Sequence, residues 1–265
     1  MSEHEFNQKW GAILRTSRGD EFSLFVPKGA KPRTQRQFNL YSYWQFIHDL
    51  IKDKNYETGV EFGCGRGTIS LFLNQYDGLK MKLIDNAPDG IQLAKDNFKK
   101  FFAEGEFIMA DAAATGLPDN SVDLVVSIGL LEHIPDYTTV LKEKYRILRP
   151  GGIMISLNIP KKTSVQILNS WYQKLFKPQG VRKDYYRNSD MPEQYMEATK
   201  QAGFVECFYY NANPFPIFTP IPLWLEKTLA LVYRSVTAIR RLYKKYPMET
   251  SYGLSQGHFV VGYKK

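Results

Sequence analysis

The chain has 265 residues, 43% of them hydrophobic and 23% charged, proportions that exclude a disordered tract and a disulfide-built scaffold. Its two cysteines, Cys64 and Cys207, stand in no paired metal or redox spacing, which sets zinc aside and fits a reducing cytoplasm. The acidic start Met1-Ser2-Glu3-His4-Glu5 lacks a secretory pattern and no run approaches the roughly 18 apolar residues of a membrane span, while the net charge of +8 sits in residues 151–265, with 16 Lys/Arg against 7 Asp/Glu (residues 1–150 hold 19 against 20).

In chain order, residues 1–57 come first as an N-terminal helical cap, with an aromatic-rich helical stretch from Phe38 to Ile51. Its Trp44, Ile47 and Ile51 share one face and read as core packing rather than ligand contact. From Thr58 onward short β-rich runs alternate with helical patterns, the signature of βαβ units and a mostly parallel sheet. The strands are expected at Gly59 to Phe62, Met81 to Ile84, Phe107 to Ala110, Leu124 to Ser127, Ile153 to Leu157 and Val205 to Tyr210, with a seventh at His258 to Tyr263. Between them, Thr68 to Tyr76 is helical, Pro88 opens a helix through Ile91, Ala94 and Phe98, and apolar spacing marks another between Tyr137 and Leu148. Pro150-Gly151-Gly152 stops that helix, and Asp190 with Glu193 makes a capping-box pattern for a last one ended by Gly203. Residues 58–160 thus read as a ligand-binding core, and 161–265 as the rest of the same unit with helical insertions at 161–188 and 211–257.

The chemistry concentrates in Glu61-Phe62-Gly63-Cys64-Gly65-Arg66-Gly67, a turn between the first strand and its helix. Glycines there let the backbone turn sharply and approach a ligand with no Cβ in the way. The spacing G-x-G-x-G differs from the G-x-G-x-x-G of dinucleotide folds, which disfavours a nicotinamide enzyme. An acid ending the second strand suits the two adjacent hydroxyls of a ribose, and Asp85 stands there, with a solvated turn residue as the plain alternative. After the third strand, Asp111 and Ala112 offer a carboxylate and a backbone amide to an adenine edge.

The run from Val60 to Asn158 resembles the core of class I S-adenosylmethionine-dependent methyltransferases, particularly the ubiquinone/menaquinone-biosynthesis-like group. The matching motifs are Glu61, Gly63, Gly65 and Gly67, then Asp85-Asn86-Ala87-Pro88, Asp111, Leu117-Pro118-Asp119-Asn120-Ser121-Val122-Asp123 and Arg146-Ile147-Leu148-Arg149-Pro150-Gly151-Gly152. The resemblance implies a Rossmann-like three-layer α/β sandwich, seven-stranded and mostly parallel with an antiparallel last strand, plus helical additions. It implies S-adenosyl-L-methionine as cofactor, with Glu61 and the three glycines facing its methionine and ribose parts, Asp85 the ribose and Asp111 the adenine. Asn86, Ala112 and Ile128 follow as pocket lining, and no metal is expected.

Such a cofactor brings an activated methyl, so the protein's task is to align the acceptor and exclude water. A hydroxyl acceptor also needs a base, for which His133, just beyond the fourth strand, is the first candidate and Glu132 the second. A His133 that lines the pocket or caps the next helix is the equal alternative. Ser127-Ile128-Gly129-Leu130 departs from the Asp/Asn-Pro-Pro-aromatic motif of DNA amine methylation, so nucleic acid is not an expected partner.

Specificity is expected in the additions: residues 1–57, the stretch Lys161 to Asn188 with Leu168, Trp171, Tyr172 and Leu175, and the insertion 211–257. In the last, Leu225, Leu229, Val232, Val236, Ile239, Tyr243 and Tyr246 make one apolar stripe, with Arg234, Arg240, Arg241, Lys244 and Lys245 on the opposite face. Packing on its own domain, peripheral membrane contact through 221–246, a lid over the substrate and a homodimer seam all fit that stripe. The expected activity is methyl transfer to oxygen or nitrogen of a small or lipid-like, apolar or acidic acceptor, by a cytoplasmic monomer or homodimer, with peripheral membrane contact open. A non-catalytic cofactor-binding protein of the same fold is the alternative.

Overall fold

Seven runs rich in branched and aromatic residues are extended: β1 (Thr58–Phe62), β2 (Lys80–Asp85), β3 (Gly105–Met109), β4 (Val122–Ile128), β5 (Leu148–Asn158), β6 (Val205–Ala212) and β7 (Gly257–Tyr263). In this computed structural model, which describes residues 10, 24–161, 186–213, 223–244 and 246–265, they form one sheet in the order β3-β2-β1-β4-β5-β7-β6. The first five pair in parallel with their neighbours, and β7 runs antiparallel to both β5 and β6. The chain winds outward from β1 to β3 and then returns to lay β4 on the other side of β1. This reversal leaves a crevice beyond the carboxyl ends of β1 and β4, where open α/β sheets take ligands.

Because both faces of such a sheet are covered, the strands are apolar on both sides. One face carries α1 (Gln35–Ile51), α2 (Thr68–Asp77) and α3 (Pro88–Lys100), packed on Leu83, Leu124, Val126, Ile155 and Phe259. The other carries α4 (Thr138–Ile147) and α5 (Pro192–Gln201), packed on Val60, Phe62, Val125, Met154 and Val260. In α1, started by Thr34 whose hydroxyl accepts from the Gln37 amide, Trp44, Ile47 and Ile51 are buried together as their spacing predicts. Phe46 of the same helix stacks against Tyr210 at 4.9 Å between ring centres, and the Trp44 indole donates to Asp77 at 2.7 Å, which binds α1 to the sheet and to α2.

Several boundaries move for physical reasons. β3 begins at Gly105, whose missing side chain leaves room for Phe98, and it ends at Met109 rather than Ala110. β5 already starts at Leu148, so Pro150-Gly151-Gly152 lies inside the strand, across an irregularity in its pairing with β4. The expected Asp190 cap does not form. Pro192 sets the first turn of α5 from Met191, the Gln194 side chain accepts from the Met191 amide, and Asp190 accepts instead from the Tyr137 hydroxyl.

The remaining helix, α6 (Leu223–Arg241), touches the body through Ala230 and Tyr233 near Phe38. Its apolar stripe packs on its own domain only in part: Leu229 lies against Phe38 and Tyr246 against Phe46 and Tyr210, while Val232, Val236, Ile239 and Tyr243 are exposed. No helix among the described residues is long and apolar enough to cross a membrane. The expected stretches 1–9, 11–23, 162–185 and 214–222 lie outside the described residues.

At Gly152 a Cβ would come within 2.8 Å of the Asp123 carbonyl and 2.9 Å of the Arg149 carbonyl, both backbone atoms that cannot yield cheaply. Gly152→Ala is therefore expected to lower unfolding stability by about 1–3 kcal/mol in denaturant titration; an unchanged midpoint would refute this account of the β4–β5 irregularity.

Candidate functional site

The turn after β1 is built from three residues with positive φ, Gly63 at 63°, Gly65 at 48° and Gly67 at 64°, a region that costs any side chain strain. The Gly67 amide donates to the Cys64 carbonyl at 2.7 Å, and Gly67 then caps the start of α2. Space forbids side chains as well. A Cβ at Gly67 would sit 2.6 Å from Leu83, one at Gly63 2.8 Å from Leu130, and one at Gly65 2.5 Å from the Trp10 indole. The turn thus presents backbone with no side chain at its three glycines, and Trp10 and Leu130 pack directly against it.

Asp85 lies under this turn at the end of β2, 8% exposed, which excludes the solvated turn acid. One carboxylate oxygen accepts from the Gly65 amide at 2.8 Å and the other from the Ala87 amide at 2.9 Å. A carboxylate oxygen can accept more than one hydrogen bond, so a group held this way also suits contact with vicinal hydroxyls. Glu61 is buried at the end of β1, where it accepts from the Ser70 amide at 2.9 Å and the Ser70 hydroxyl at 2.5 Å. Burial raises its carboxyl to about 7, partly offset by the two Ser70 hydrogen bonds, and Asp85 nearby adds to the rise.

Along the same edge, Asp111 is exposed and its side chain accepts from the Ala113 amide at 2.7 Å, shaping the turn after β3. Ala112 and Ile128 are half-buried against opposite core faces, and Asn86 is exposed. The expected cofactor residues therefore gather at the carboxyl ends of four adjacent strands, with Asp111 and Asn86 at the rim.

Beyond β4 the chain makes a short 3-10 turn, Leu131–His133. His133, 5% exposed, holds its Nδ1 2.7 Å from the Tyr186 carbonyl, which only accepts, so Nδ1 carries the proton and Nε2 is the basic nitrogen of the neutral ring. That Nε2 lies 3.9 Å from a Glu132 carboxylate oxygen. Glu132 itself is 1% exposed, and its carbonyl accepts from the Asn188 amide. Behind the turn, Lys144 of α4 is fully buried and donates to the hydroxyls of Ser127 at 2.6 Å and Ser156 at 2.8 Å, bracing β4 against β5. Burial lowers its ammonium to about 7, and the Glu132 charge works against that fall. Asn158 at the end of β5 is fully buried with both side-chain polar atoms lacking a hydrogen-bond partner among the described residues.

Sequence reading missed three of these residues. Trp10 covers Gly65 and Gly90 from a polar N-terminal stretch that carries no periodic signal. Leu130 covers Gly63 and was legible only as part of the loop after β4. Lys144 had a signal: it falls three and four residues after Leu141 and Val140, on the apolar face of α4.

Comparison with known proteins agrees with this geometry. Residues 60–156 match the family model for a methyltransferase domain. The chain is 29% identical over 167 residues to the demethylmenaquinone methyltransferase of Oceanobacillus iheyensis, covering 55% of this chain and 70% of that one. Over 115 residues it is 30% identical to the 2-methyl-6-phytyl-1,4-hydroquinone methyltransferase of Synechocystis, covering 43% of this chain and only 36% of that protein. A solved S-adenosylmethionine-dependent methyltransferase of Thermotoga maritima aligns over the full length of both chains with a TM-score of 0.60, and at 20% identity it speaks for the fold alone. The fold and the crevice are those of a class I S-adenosylmethionine-dependent methyltransferase. The relatives it matches over about half of its length are quinone-type methyltransferases.

The Lys144–Glu132 interaction is open to a double-mutant cycle. Lys144→Met removes the hydrogen bonds to Ser127 and Ser156 and the charge that Glu132 feels, and is expected to cost about 1–3 kcal/mol, of which Glu132→Gln in the same chain restores a part. Strictly additive effects in chemical denaturation would show that the two charges do not support each other.

Proposed function

We propose that this methyltransferase passes the methyl group of S-adenosylmethionine to a small, lipid-like acceptor of the quinol class. The observation that carries the reading is the buried Asp85 carboxylate bound to the amides on either side of it, a fixed acceptor for a ribose diol beside a bare glycine turn. The two relatives, methyltransferases of demethylmenaquinone and of a phytyl hydroquinone, support the acceptor class. Residues 58–160 then serve as the cofactor core, with the N-terminal 57 residues as cap and the insertions 161–188 and 211–257 on the acceptor side.

Each residue has a part in this reading. Gly63, Gly65 and Gly67 bring backbone against the methionine and ribose portions, Glu61 faces the positively charged end, and Asp85 accepts from the ribose. Asp111 and Ala112 meet the adenine edge, while Asn86 and Ile128 line its sides. Trp10 and Leu130 close over the turn and keep water from it.

S-adenosylmethionine, when bound, supplies a methyl already activated on a sulfonium. The protein's remaining work is to orient the acceptor in line with that methyl and to remove a hydroxyl proton. His133 takes the proton at Nε2, held in register by the Tyr186 carbonyl, and Glu132 positions the ring rather than acting as the base. Losing that proton enriches both the quinol oxygen and the ring carbon beside it, so the same base serves either acceptor atom; NMR of the product tells them apart. A nitrogen acceptor attacks through its lone pair and would leave the rate insensitive to His133→Ala. The exposed stripe of α6 supports a seat at the cytoplasmic face of a membrane, where such an acceptor resides.

Calorimetry with S-adenosylhomocysteine tests the cofactor assignment. Asp85→Ala should weaken binding about 30- to 100-fold, equivalent to ~2–3 kcal/mol, and Trp10→Ala about tenfold. Unaltered affinity in a folded Asp85→Ala protein would remove the assignment.

Glu61 makes a pH prediction. Its carboxyl is raised to about 7, so below that pH it is protonated, and a cationic ligand must expel the proton to gain the charge pair. Affinity for S-adenosylmethionine should climb from pH 5.5 to about 7 and then level, with proton release seen in buffers of different ionisation enthalpy, and Glu61→Gln should flatten the curve. A parent curve already flat across that window would contradict the assignment of Glu61.

A further inference from the structure

We propose that the cationic groove between residues 29–33 and α6 binds the phosphate of an anionic phospholipid, and that it seats the exposed stripe of α6 on the bilayer that carries the acceptor. This rests on the lipid-like acceptor inferred above and names the surface from which that acceptor is drawn.

The groove has a volume of about 530 Å3 and lies between the segment 29–33, just before α1, and Lys227 and Arg234 of α6. Lys31, Arg33, Lys227 and Arg234 put four cations on its walls, and no carboxylate lines it among the described residues. Arg234 also donates to the Pro32 carbonyl at 3.4 Å, which joins the two walls. An array of cations with no paired acid is a site for a phosphate oxyanion, which accepts from several donors at once.

The neighbouring surface decides which phosphate. Trp224, Leu231, Val232, Val236 and Ile239 on α6 and Leu242 just after it are all exposed, Leu242 at 85%. At 100° per residue they fall within an arc of about 140°, and Lys227 and Arg234 border that arc on its Trp224–Leu231 side. A water-facing stripe of this kind is a contact surface rather than a resting state. A hydrocarbon layer under a phosphate layer matches both halves together, the stripe entering the acyl boundary while the cations reach the headgroups. A second copy of the same helix matches only one half. The helix carries Lys227, Arg234, Arg240 and Arg241 against a single acid, Glu226, so two copies face to face bring like charges together.

The test uses the full chain and vesicle flotation with phosphatidylcholine alone or mixed 7:3 with phosphatidylglycerol, at 50 and 500 mM salt. The expected result is at least tenfold tighter binding to the anionic vesicles at low salt, lost in high salt. Reversal of the groove (Lys31→Glu, Arg33→Glu and Lys227→Glu together) should lower that binding at least tenfold, whereas Lys99→Glu with Lys142→Glu, the same kind of change far from α6, should stay within twofold of the parent. Val236→Asp with Ile239→Asp should abolish binding to either vesicle. Each variant is first shown to keep the parent's affinity for S-adenosylhomocysteine, which excludes misfolding as the cause. Equal binding to both vesicle types overturns the proposal, as does an equal loss in the control variant, and so does binding of soluble glycerol phosphate by a protein that shows no preference for the anionic vesicles, which would make the groove a site for soluble phosphate. Methyl transfer to a short-chain, water-soluble quinol is measured on the same samples, so a wrong acceptor class and a wrong membrane seat give different results.

Discussion

The Asp85 carboxylate binds the amide of Gly65 on one side and that of Ala87 on the other, and the crevice is assembled around those two hydrogen bonds. They fix the turn after β1, the end of β2 and the entry to α3 relative to one another. Both donors are backbone groups, so the arrangement depends on main-chain conformation, and three glycines with positive φ make that conformation affordable. A single acid thus ties together three segments of the crevice wall, since its two oxygens accept from amides on either side. The burial that makes this rigid also raises the neighbouring Glu61 carboxyl, which links ligand charge to proton release.

On the other face of the sheet the apolar interior also holds buried charge. Lys144 is buried among Ser127, Ser156 and the field of Glu132. Such groups contribute little net stability, because desolvation offsets most of their attraction. Their effect is on position: Lys144 braces the ends of β4 and β5, and the segment 186–190 holds the 3-10 turn through the Tyr186 carbonyl and the Asn188 amide. His133 sits between these two supports, so its ring orientation is set from both sides of the crevice.

A different balance governs α6. A helix buried by its own domain turns its apolar stripe inward, yet here the small residue Ala230 and the ring of Tyr233 face the body while larger apolar side chains face out. Among the described residues the body meets the apolar side of that helix chiefly at Phe38, which leaves much of the stripe uncovered. The basic residues along its border keep such a surface soluble and set the sign of what it meets.

The order of strands and helices, the glycine turn and the acids at the ends of β1, β2 and β3 were legible in the sequence. They follow from local rules: a period of two in the strands, a run of glycines where no Cβ fits, a carboxylate at a strand end. Local rules also misled at Asp190, where Pro192 set the helix start instead, and at Pro150-Gly151-Gly152, which reads as a stop and lies within β5. Trp10 over Gly65, Lys144 beneath the His133 turn and the outward stripe of α6 came only from tertiary structure. Whether a side chain is covered depends on what the rest of the chain brings to it, and periodicity records a face without recording its partner.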